Sequence, residues 1–162
     1  ELARIARMVG IAALKFADLS NVRTTDYIFD LDRFVAFEGK TGPYLLYAAV
    51  RIRSVLAKAG TNPEEAVGGP VGLTEAAETE LAMALLAYRD AHRGAYERRM
   101  PHLLCDHAFA LAQAFSKFYA QCRIADEEDE RKKASRLTLT GATFAQLKDI
   151  LDQLGMAVPE RM

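Results

Sequence analysis

The residues Gly39-Lys40-Thr41 match the end of a phosphate-binding loop, so nucleotide binding is the first chemistry to consider. Such a loop needs a second glycine five residues before the Gly-Lys pair, because its backbone amides must curl around the phosphates. Phe34 occupies that position, and Pro43 removes a backbone donor where the next helix should offer free amides. We therefore expect Thr41 or Gly42 to cap a helix that has Pro43 in its first turn, and no bound nucleotide.

The helix that follows carries aromatic and basic side chains opposite its apolar face. This second face presents Tyr44, Tyr47, Arg51, Ser54 and Lys58. Aromatic rings stack on unpaired bases and cations bind phosphates, so the pattern is typical of RNA binding. Alternatively, the tyrosines pack against another helix or domain with their hydroxyl groups hydrogen-bonded. Periodicity alone leaves both interpretations open.

A second aromatic–cation pair is expected at the end of a later helix, where Arg123 follows Tyr119 just before a turn. An aromatic ring and a cation exposed together at a helix end would form a corner that binds a base. The alternative is a core aromatic residue beside a solvated arginine. Further basic residues precede this helix at Arg89, His92, Arg93, Arg98, Arg99 and His102.

Metal binding and covalent catalysis have weaker support. His102 and Cys105 would lie one helical turn apart, whereas His107 projects elsewhere and Cys122 is several turns away. A structural zinc site needs four converging ligands, and a thiol on an apolar stripe is usually inert packing. The carboxylates between residues 26 and 38 are better explained as turn formers and helix caps. We expect no metal site and no catalytic residues in this chain.

Almost all of the elements that must position these residues are predicted to be helical. Apolar residues at three- and four-residue steps, from Ile5 to Phe16, predict a helix that begins with the first residues. The segment 18–32 is the one credible extended stretch, and the glycine- and proline-rich segment 60–72 predicts a mobile loop. Start and stop signals, including caps at Asp30 and Thr74, predict helices over 31–38, 43–59, 74–88, 90–99, 101–122 and 126–155.

Two of the predicted helices carry apolar stripes that can hold a bundle together. The stripes consist of Leu104, Ala108, Leu111, Phe115, Phe118 and Cys122 on one helix and of Leu137, Phe144, Leu147, Leu151 and Leu154 on the other. Burying one large apolar side chain stabilises the fold by about 1.5–3 kcal/mol, so we predict an all-α helical bundle. The charge run at the start of the last helix predicts ion pairs Glu127–Arg131, Glu128–Lys132 and Asp129–Lys133.

Composition limits the classes of function. The 162 residues suffice for one domain or one and a half, and a net charge of −1 means that a nucleic-acid binder must use local basic patches. The chain has two cysteines, no signal peptide and no apolar run that could span a membrane, so we expect a reduced, cytoplasmic setting. Because it lacks an initiator methionine and is helical in pattern from the start, we expect a fragment of a longer protein.

Several motifs strongly resemble the part of arginyl-tRNA synthetases that follows the catalytic domain. They are Ala17-Asp18-Leu19-Ser20, Arg23-Thr24-Thr25-Asp26-Tyr27, Phe37-Glu38-Gly39, Gly42-Pro43-Tyr44-Leu45, "LAQAFSKFYAQC" over 111–122, and the ending Val158-Pro159-Glu160-Arg161-Met162. The resemblance covers essentially the whole chain. It implies a helical connection over 1–36 and, over 37–162, the anticodon-binding (DALR) helical bundle of a class I aminoacyl-tRNA synthetase.

The resemblance also implies a function that is divided between this chain and its parent enzyme. The parent would attach arginine to its tRNA using ATP and Mg, but the family's catalytic signatures, a His-x-Gly-His motif and a Lys-Met-Ser-Lys-Ser-like loop, are absent here. The implied partners are the anticodon loop of the arginine tRNA and the parent's own catalytic domain, not DNA or a membrane. By itself the chain is expected to bind RNA and to catalyse nothing.

The resemblance assigns RNA contacts to particular positions. It places Tyr119, Arg123, Ile124 and Met162 near the anticodon loop, while Tyr44, Tyr47 and Arg51 match positions expected to support a domain interface as much as RNA. The competing hypothesis is a non-catalytic helical adaptor that binds protein partners through the face carrying Tyr44 and Tyr47.

Overall fold

The computed structural model describes residues 1–162, which form helices joined by turns and irregular segments, with no strand. The helices are α1 (Leu2–Leu19), α2 (Leu31–Phe34), α3 (Gly42–Lys58), α4 (Pro63–Ala66), α5 (Ala76–Leu86), α6 (Tyr88–Arg98), α7 (His102–Gln121) and α8 (Glu130–Gln153). The predicted all-α bundle is confirmed. None of these helices combines the length and apolar character that crossing a membrane requires.

The prediction of an extended stretch over residues 18–32 is wrong, because this segment forms no strand. Residues 20–30 form turns and irregular backbone between α1 and α2. An isolated strand would find no neighbouring strand to pair its backbone groups, so the short β-like run stays irregular. The predicted cap is confirmed, because the Asp30 carboxylate accepts a hydrogen bond from the Arg33 amide at 3.1 Å. The helix that it caps ends at Phe34, earlier than the predicted residue 38.

The start of α3 is built as the turn chemistry predicts. Thr41 is the cap: its hydroxyl oxygen accepts from the Tyr44 amide at 3.2 Å, and the hydroxyl donates to the Ala36 carbonyl at 2.6 Å. Pro43 lies in the first turn, where its missing amide costs nothing. Gly42 is buried against the backbone of α1 near Ala12, so the helix start is also the point where α1 and α3 touch.

The segment 60–72 is packed against α8 rather than extending from the bundle. It contains the short helix α4, whose cap Asn62 accepts from the Glu65 amide at 2.9 Å. Ala66 of α4 is buried against α8. The Gly72 amide donates to the Ser135 hydroxyl oxygen at 2.9 Å, and that hydroxyl donates to the Gly72 carbonyl at 2.9 Å. Gly69 permits close packing on α8, because an added Cβ atom would lie 2.5 Å from the Thr138 hydroxyl oxygen. The mobility of the segment stays a prediction.

One hydrophobic core lies between α3, α7 and α8, with α1 and α5 packed against it. Both predicted apolar stripes are buried, apart from Leu137, which is half-buried. The predicted cap at Thr74 is wrong, since α5 starts two residues later and is capped at Glu75. The Thr74 hydroxyl instead donates to the Glu78 carboxylate at 3.2 Å.

The three predicted ion pairs at the start of the last helix do not form. Helix α8 begins at Glu130, so the acidic members of the pairs precede it and helical spacing does not apply to them. Asp129 caps the helix by accepting from the amides of Arg131 and Lys132, at 2.9 and 3.2 Å. Glu127 accepts from two backbone amides of the turn before the helix.

His107 is a buried titratable group on α7. Its ring lies 5.7 Å from the ring of Tyr88, and its Nε2 atom has no hydrogen-bond partner. Burial lowers the pKa of His107 below its ordinary value of 6.5, although the neighbouring Gln146 side chain acts in the opposite direction. The unfolded chain therefore takes up this proton first as the pH falls. The stability that neutral His107 contributes is complete above pH 6.5 and is lost as the pH falls through the folded-state pKa.

We expect His107→Gln to reduce the acid-side loss of stability. In the chain without a substitution, the free energy of unfolding should fall between about pH 7.5 and pH 5.5 as the unfolded state binds the extra proton. The variant should show a smaller decline in denaturant titrations at the two pH values. The control is His92→Gln, which alters an exposed histidine on α6. Its free energy of unfolding should decline as much as that of the unsubstituted chain. Equal declines in all three proteins would contradict the assignment to His107.

Candidate nucleic-acid interface

A surface groove lies between the C-terminal ends of α3 and α7. We call it the Tyr119 groove; it has a volume of roughly 410 Å³ and is lined by Val55, Lys58, Tyr119 and residues 120–126, which comprise the end of α7 and the turn after it. This volume falls in the range of about 300–1,000 Å³ that small-molecule pockets occupy, so it is large enough in volume for a nucleobase. The groove is where the last turn of α7 ends and the chain turns towards α8.

Tyr119 enters the groove with its ring already in contact with a cation. The Arg51 guanidinium lies over the ring, 4.5 Å from its centroid, and Phe115 stacks at 6.2 Å with an interplanar angle of 29°. The same two helices make a second contact further towards their start, where the rings of Tyr44 and Phe109 meet edge to face at 5.7 Å. Tyr119 is half-buried and is held by neighbours, with the cation on one ring face.

The other predicted residue of the helix end is free for a ligand. Arg123 is exposed on the turn, and its guanidinium makes no hydrogen bond or ion pair. Its backbone is fixed, because the carbonyl oxygen accepts from Arg136 at 2.8 Å. The turn therefore combines a rigid main chain with an unengaged cation beside Tyr119.

Ile124 faces the interior. It lines the floor of the Tyr119 groove, but it is only 4% exposed and belongs to the hydrophobic core. An apolar floor can contact a ligand, whereas stacking on a base would require this side chain to leave the core. The structure therefore assigns different environments to the two neighbours, with Arg123 exposed and Ile124 packed.

The two tyrosines near the start of α3 also differ in exposure, one packed and one exposed to solvent. Tyr44 is half-buried against Phe109, so its ring packs on α7. Tyr47 is 48% exposed and precedes Arg51 by one helical turn, so the two share one face of α3. Of the two interpretations of this face, packing describes Tyr44, while Tyr47 remains available for a partner.

Met162 does not line the Tyr119 groove. The C-terminal segment 156–162 is held against α1 and α3 by contacts at several points: the Arg53 guanidinium donates to the Pro159 carbonyl at 3.1 Å, and Arg161 makes two bonds of 2.5 Å to Glu1. Met162 itself is 42% exposed. The structure thus brings Tyr119, Arg51, Arg123 and Ile124 together and leaves Met162 outside the groove.

A buried charge network behind the groove was not predicted from the sequence. Arg136 on α8 donates to Glu78 on α5 at 2.6 Å and also bonds Glu127 on the turn. Burial alone would raise the pKa of Glu78, but hydrogen bonds from Arg136 and from the amides of Thr74 and Glu75 lower it below its ordinary value. Arg136 and Glu78 are 58 residues apart, so no local pattern could indicate the pair.

The remaining candidate chemistry finds no support in the geometry. Lys40 forms an ion pair with Asp106, and the Thr41 hydroxyl is used for capping, so neither is aimed at a phosphate. No three His, Cys, Asp or Glu side chains are arranged to hold a metal ion. Burial raises the pKa of the Cys105 thiol to about 12 and also raises that of Cys122, so both thiols act as packing groups.

Comparison with known sequences gives a consistent result. The sequence profile of the DALR anticodon binding domain matches residues 45–162. The arginine–tRNA ligase of Maricaulis maris is 54% identical over 165 residues, which cover 100% of this chain and 27% of the relative. The arginine–tRNA ligase of Hyphomonas neptunium is 56% identical over 98% of this chain and 26% of its own length. The chain thus spans about a quarter of these curated relatives.

Solved structures agree with the sequence comparison. The arginyl-tRNA synthetase of Thermus thermophilus superposes with a TM-score of 0.84 at 32% identity, over 97% of this chain and 27% of that one. The enzyme of Plasmodium falciparum superposes with a TM-score of 0.87 at 28% identity, over 100% of this chain and 28% of that one.

Proposed function

We propose, from the premise that this chain belongs to the DALR anticodon-binding domain family, that it binds the anticodon loop of an arginine tRNA. The observation that carries the proposal is the Tyr119 groove, where an aromatic ring, a cation lying on it and the unengaged Arg123 meet at one helix end. Rings that stack on unpaired bases and cations that bind phosphates are the two elements of single-stranded RNA recognition.

Binding at this groove requires an exchange at Tyr119. The incoming base replaces the Arg51 guanidinium over the ring, and the released guanidinium binds a nearby phosphate. Stacking of a base on an aromatic ring is worth about 1–3 kcal/mol, whereas an exposed cation–π contact is worth about 0.5–1 kcal/mol, so the exchange is favourable. Arg123 binds the loop backbone beside the stacked base, and Tyr47 extends the contact along α3.

We place the chemistry of the longer protein outside this chain. Attachment of arginine to tRNA, with ATP and Mg, belongs to a catalytic domain that this chain does not contain, in a cytoplasmic enzyme. The surface suited to that domain is a run of exposed apolar side chains between α1 and α3, at Ile28, Phe29, Leu31, Val35 and Phe37. This surface falls within the proposed connection (1–36) and at the first residue of the proposed anticodon-binding domain (37–162).

The adaptor hypothesis gains no comparable support. It required both Tyr44 and Tyr47 to face a protein partner, but Tyr44 packs on Phe109 within the bundle. The relatives from Maricaulis maris and Hyphomonas neptunium both carry the name arginine–tRNA ligase. RNA binding is therefore the function to test first.

Titration with tRNA transcripts tests the proposed function. We expect the chain to bind an arginine tRNA at least about fivefold more tightly than an unrelated tRNA, which corresponds to about 1 kcal/mol, the value of one hydrogen bond to the edge of a loop base. An arginine tRNA with an exchanged anticodon is the matched control and should bind like the unrelated one. Equal affinity for all three would contradict the proposal, whereas weak binding overall would not, since the comparison is a ratio.

A further inference from the structure

Arg136 is a charged residue buried inside the bundle, and its burial needs a reason other than hydrophobic packing. It is 4% exposed on α8, and its partner Glu78 on α5 is 1% exposed. Ionised groups in such positions must be paired and hydrogen-bonded, because they have left water. A well-packed apolar pair of similar volume often serves stability as well, so the network calls for an explanation beyond packing.

The bonds of Arg136 reach three residues in two parts of the chain. Its Nε atom donates to Glu78 at 2.6 Å, which anchors it to α5. Its Nη1 atom donates to the Arg123 carbonyl oxygen at 2.8 Å and also bonds the Glu127 carboxylate. The last two partners lie on the turn that follows α7, at the edge of the Tyr119 groove.

Glu127 completes the hold on that turn. Its other carboxylate oxygen accepts from the amides of Glu128 and Asp129, at 3.0 and 3.2 Å. The turn is therefore bound at its beginning through the Arg123 carbonyl and at its end through Glu127, and both attachments meet at Arg136. Because the guanidinium is planar with donors in a fixed fork, it sets the geometry between these attachments.

We propose that Arg136 is a positioning residue for RNA binding, which acts through Glu127 and the Arg123 carbonyl to aim the Arg123 guanidinium at the anticodon-loop backbone beside Tyr119. This inference rests on the proposed function. It assigns to a buried arginine and an acidic residue a role in binding an anion, although Arg136 itself does not reach the RNA.

The Glu127→Gln variant separates positioning from simple electrostatics. Removing a carboxylate near a bound phosphate should tighten RNA binding if charge alone mattered. Positioning predicts the reverse, a loss of about tenfold in affinity for the arginine tRNA, which is the size of effect that one charge-assisted hydrogen bond gives. Glu128→Gln removes the same charge from the neighbouring exposed residue, whose side chain makes no bond, and should show no loss.

Salt dependence gives a readout that a loss of fold stability would not change. Arg123→Ala should lower the slope of log K against log salt by about 0.7, the value for one contact to a single-stranded phosphate. Glu127→Gln should lower the slope by a similar amount, and the double variant should show no further decrease. Glu127→Asp, which keeps the charge but withdraws the carboxylate by one methylene, should behave like Glu127→Gln. Thermal melts of each variant verify that the bundle is folded.

The outcomes distinguish this inference from the function on which it rests. If Tyr119→Ala and Arg123→Ala leave the affinity unchanged, the proposed function fails. The second outcome is that those two variants weaken binding but Glu127→Gln binds as tightly as the unsubstituted chain and Glu128→Gln. The proposed function then stands, and the positioning role of Arg136 is overturned.

Discussion

Replacement of Tyr119 by alanine should weaken binding of the arginine tRNA by about 1–3 kcal/mol, the value of one base stacked on an aromatic ring. The variant loses both the ring on which a base stacks and the platform on which Arg51 rests. The affinity for an unrelated tRNA should change much less, because that tRNA binds chiefly through its phosphates. The measurement is a titration with both tRNAs by fluorescence anisotropy at fixed salt.

Three further substitutions make the Tyr119 result interpretable. Tyr119→Phe keeps the ring and should bind nearly as the parent does. Tyr119→Leu fills the space with an apolar side chain but offers no ring, so it should resemble the alanine variant. Tyr96→Ala removes a tyrosine that is 81% exposed on α6 and should leave binding unchanged. If the alanine variant binds the arginine tRNA as tightly as the unsubstituted chain, Tyr119 is not part of the binding site.

The Gly42→Ala substitution should destabilise the bundle by at least about 3 kcal/mol, at the upper end of overpacking effects. An added Cβ atom would overlap the carbonyl group of Ala12, lying 2.5 Å from its carbon, and would lie 3.0 Å from the Ala13 nitrogen. These are backbone atoms in the middle of α1, so they cannot turn aside as a flexible side chain could. Helices α1 and α3 must separate at this contact.

Thermal unfolding measures the Gly42 effect directly. For a chain of this size we expect the melting temperature to fall by roughly 6–12 °C. Gly10→Ala is the matched control, since Gly10 lies in α1 with no atom within 4 Å of an added Cβ. That change should stabilise the protein by about 0.5–1 kcal/mol through helix propensity. Similar melting temperatures for the two variants would contradict the close contact at Gly42.

Local chemistry made much of the fold predictable from the sequence. Thr41 and Pro43 identify the start of α3 because capping and a missing amide are properties of neighbouring residues. The apolar stripe of α7 is visible because burial of one face imposes a period of about 3.6 residues. The predicted start of the last helix at residue 126 is too early, since an acidic run suits either a first helical turn or a capping turn before it.

The candidate site was less predictable, because its geometry depends on contacts between distant residues. The exposed Arg123 and the packed Ile124 are neighbours in sequence, and no periodicity continues past the end of α7 to distinguish them. The path of the segment 156–162 is set by Arg53 and Glu1, far away in the chain. Resemblance to a family could indicate which positions to consider, but not which of them the fold brings together.

The burial of both cysteines makes the native chain a ready substrate for site-specific labelling. Maleimides react with thiolates, and Cys105 and Cys122 are both enclosed and hard to deprotonate. A cysteine introduced at the exposed Ser54, on the same helix as Arg51 and Lys58, would therefore be the preferred target of a fluorescent dye. The arrival of RNA could then be followed by fluorescence without first replacing either native thiol.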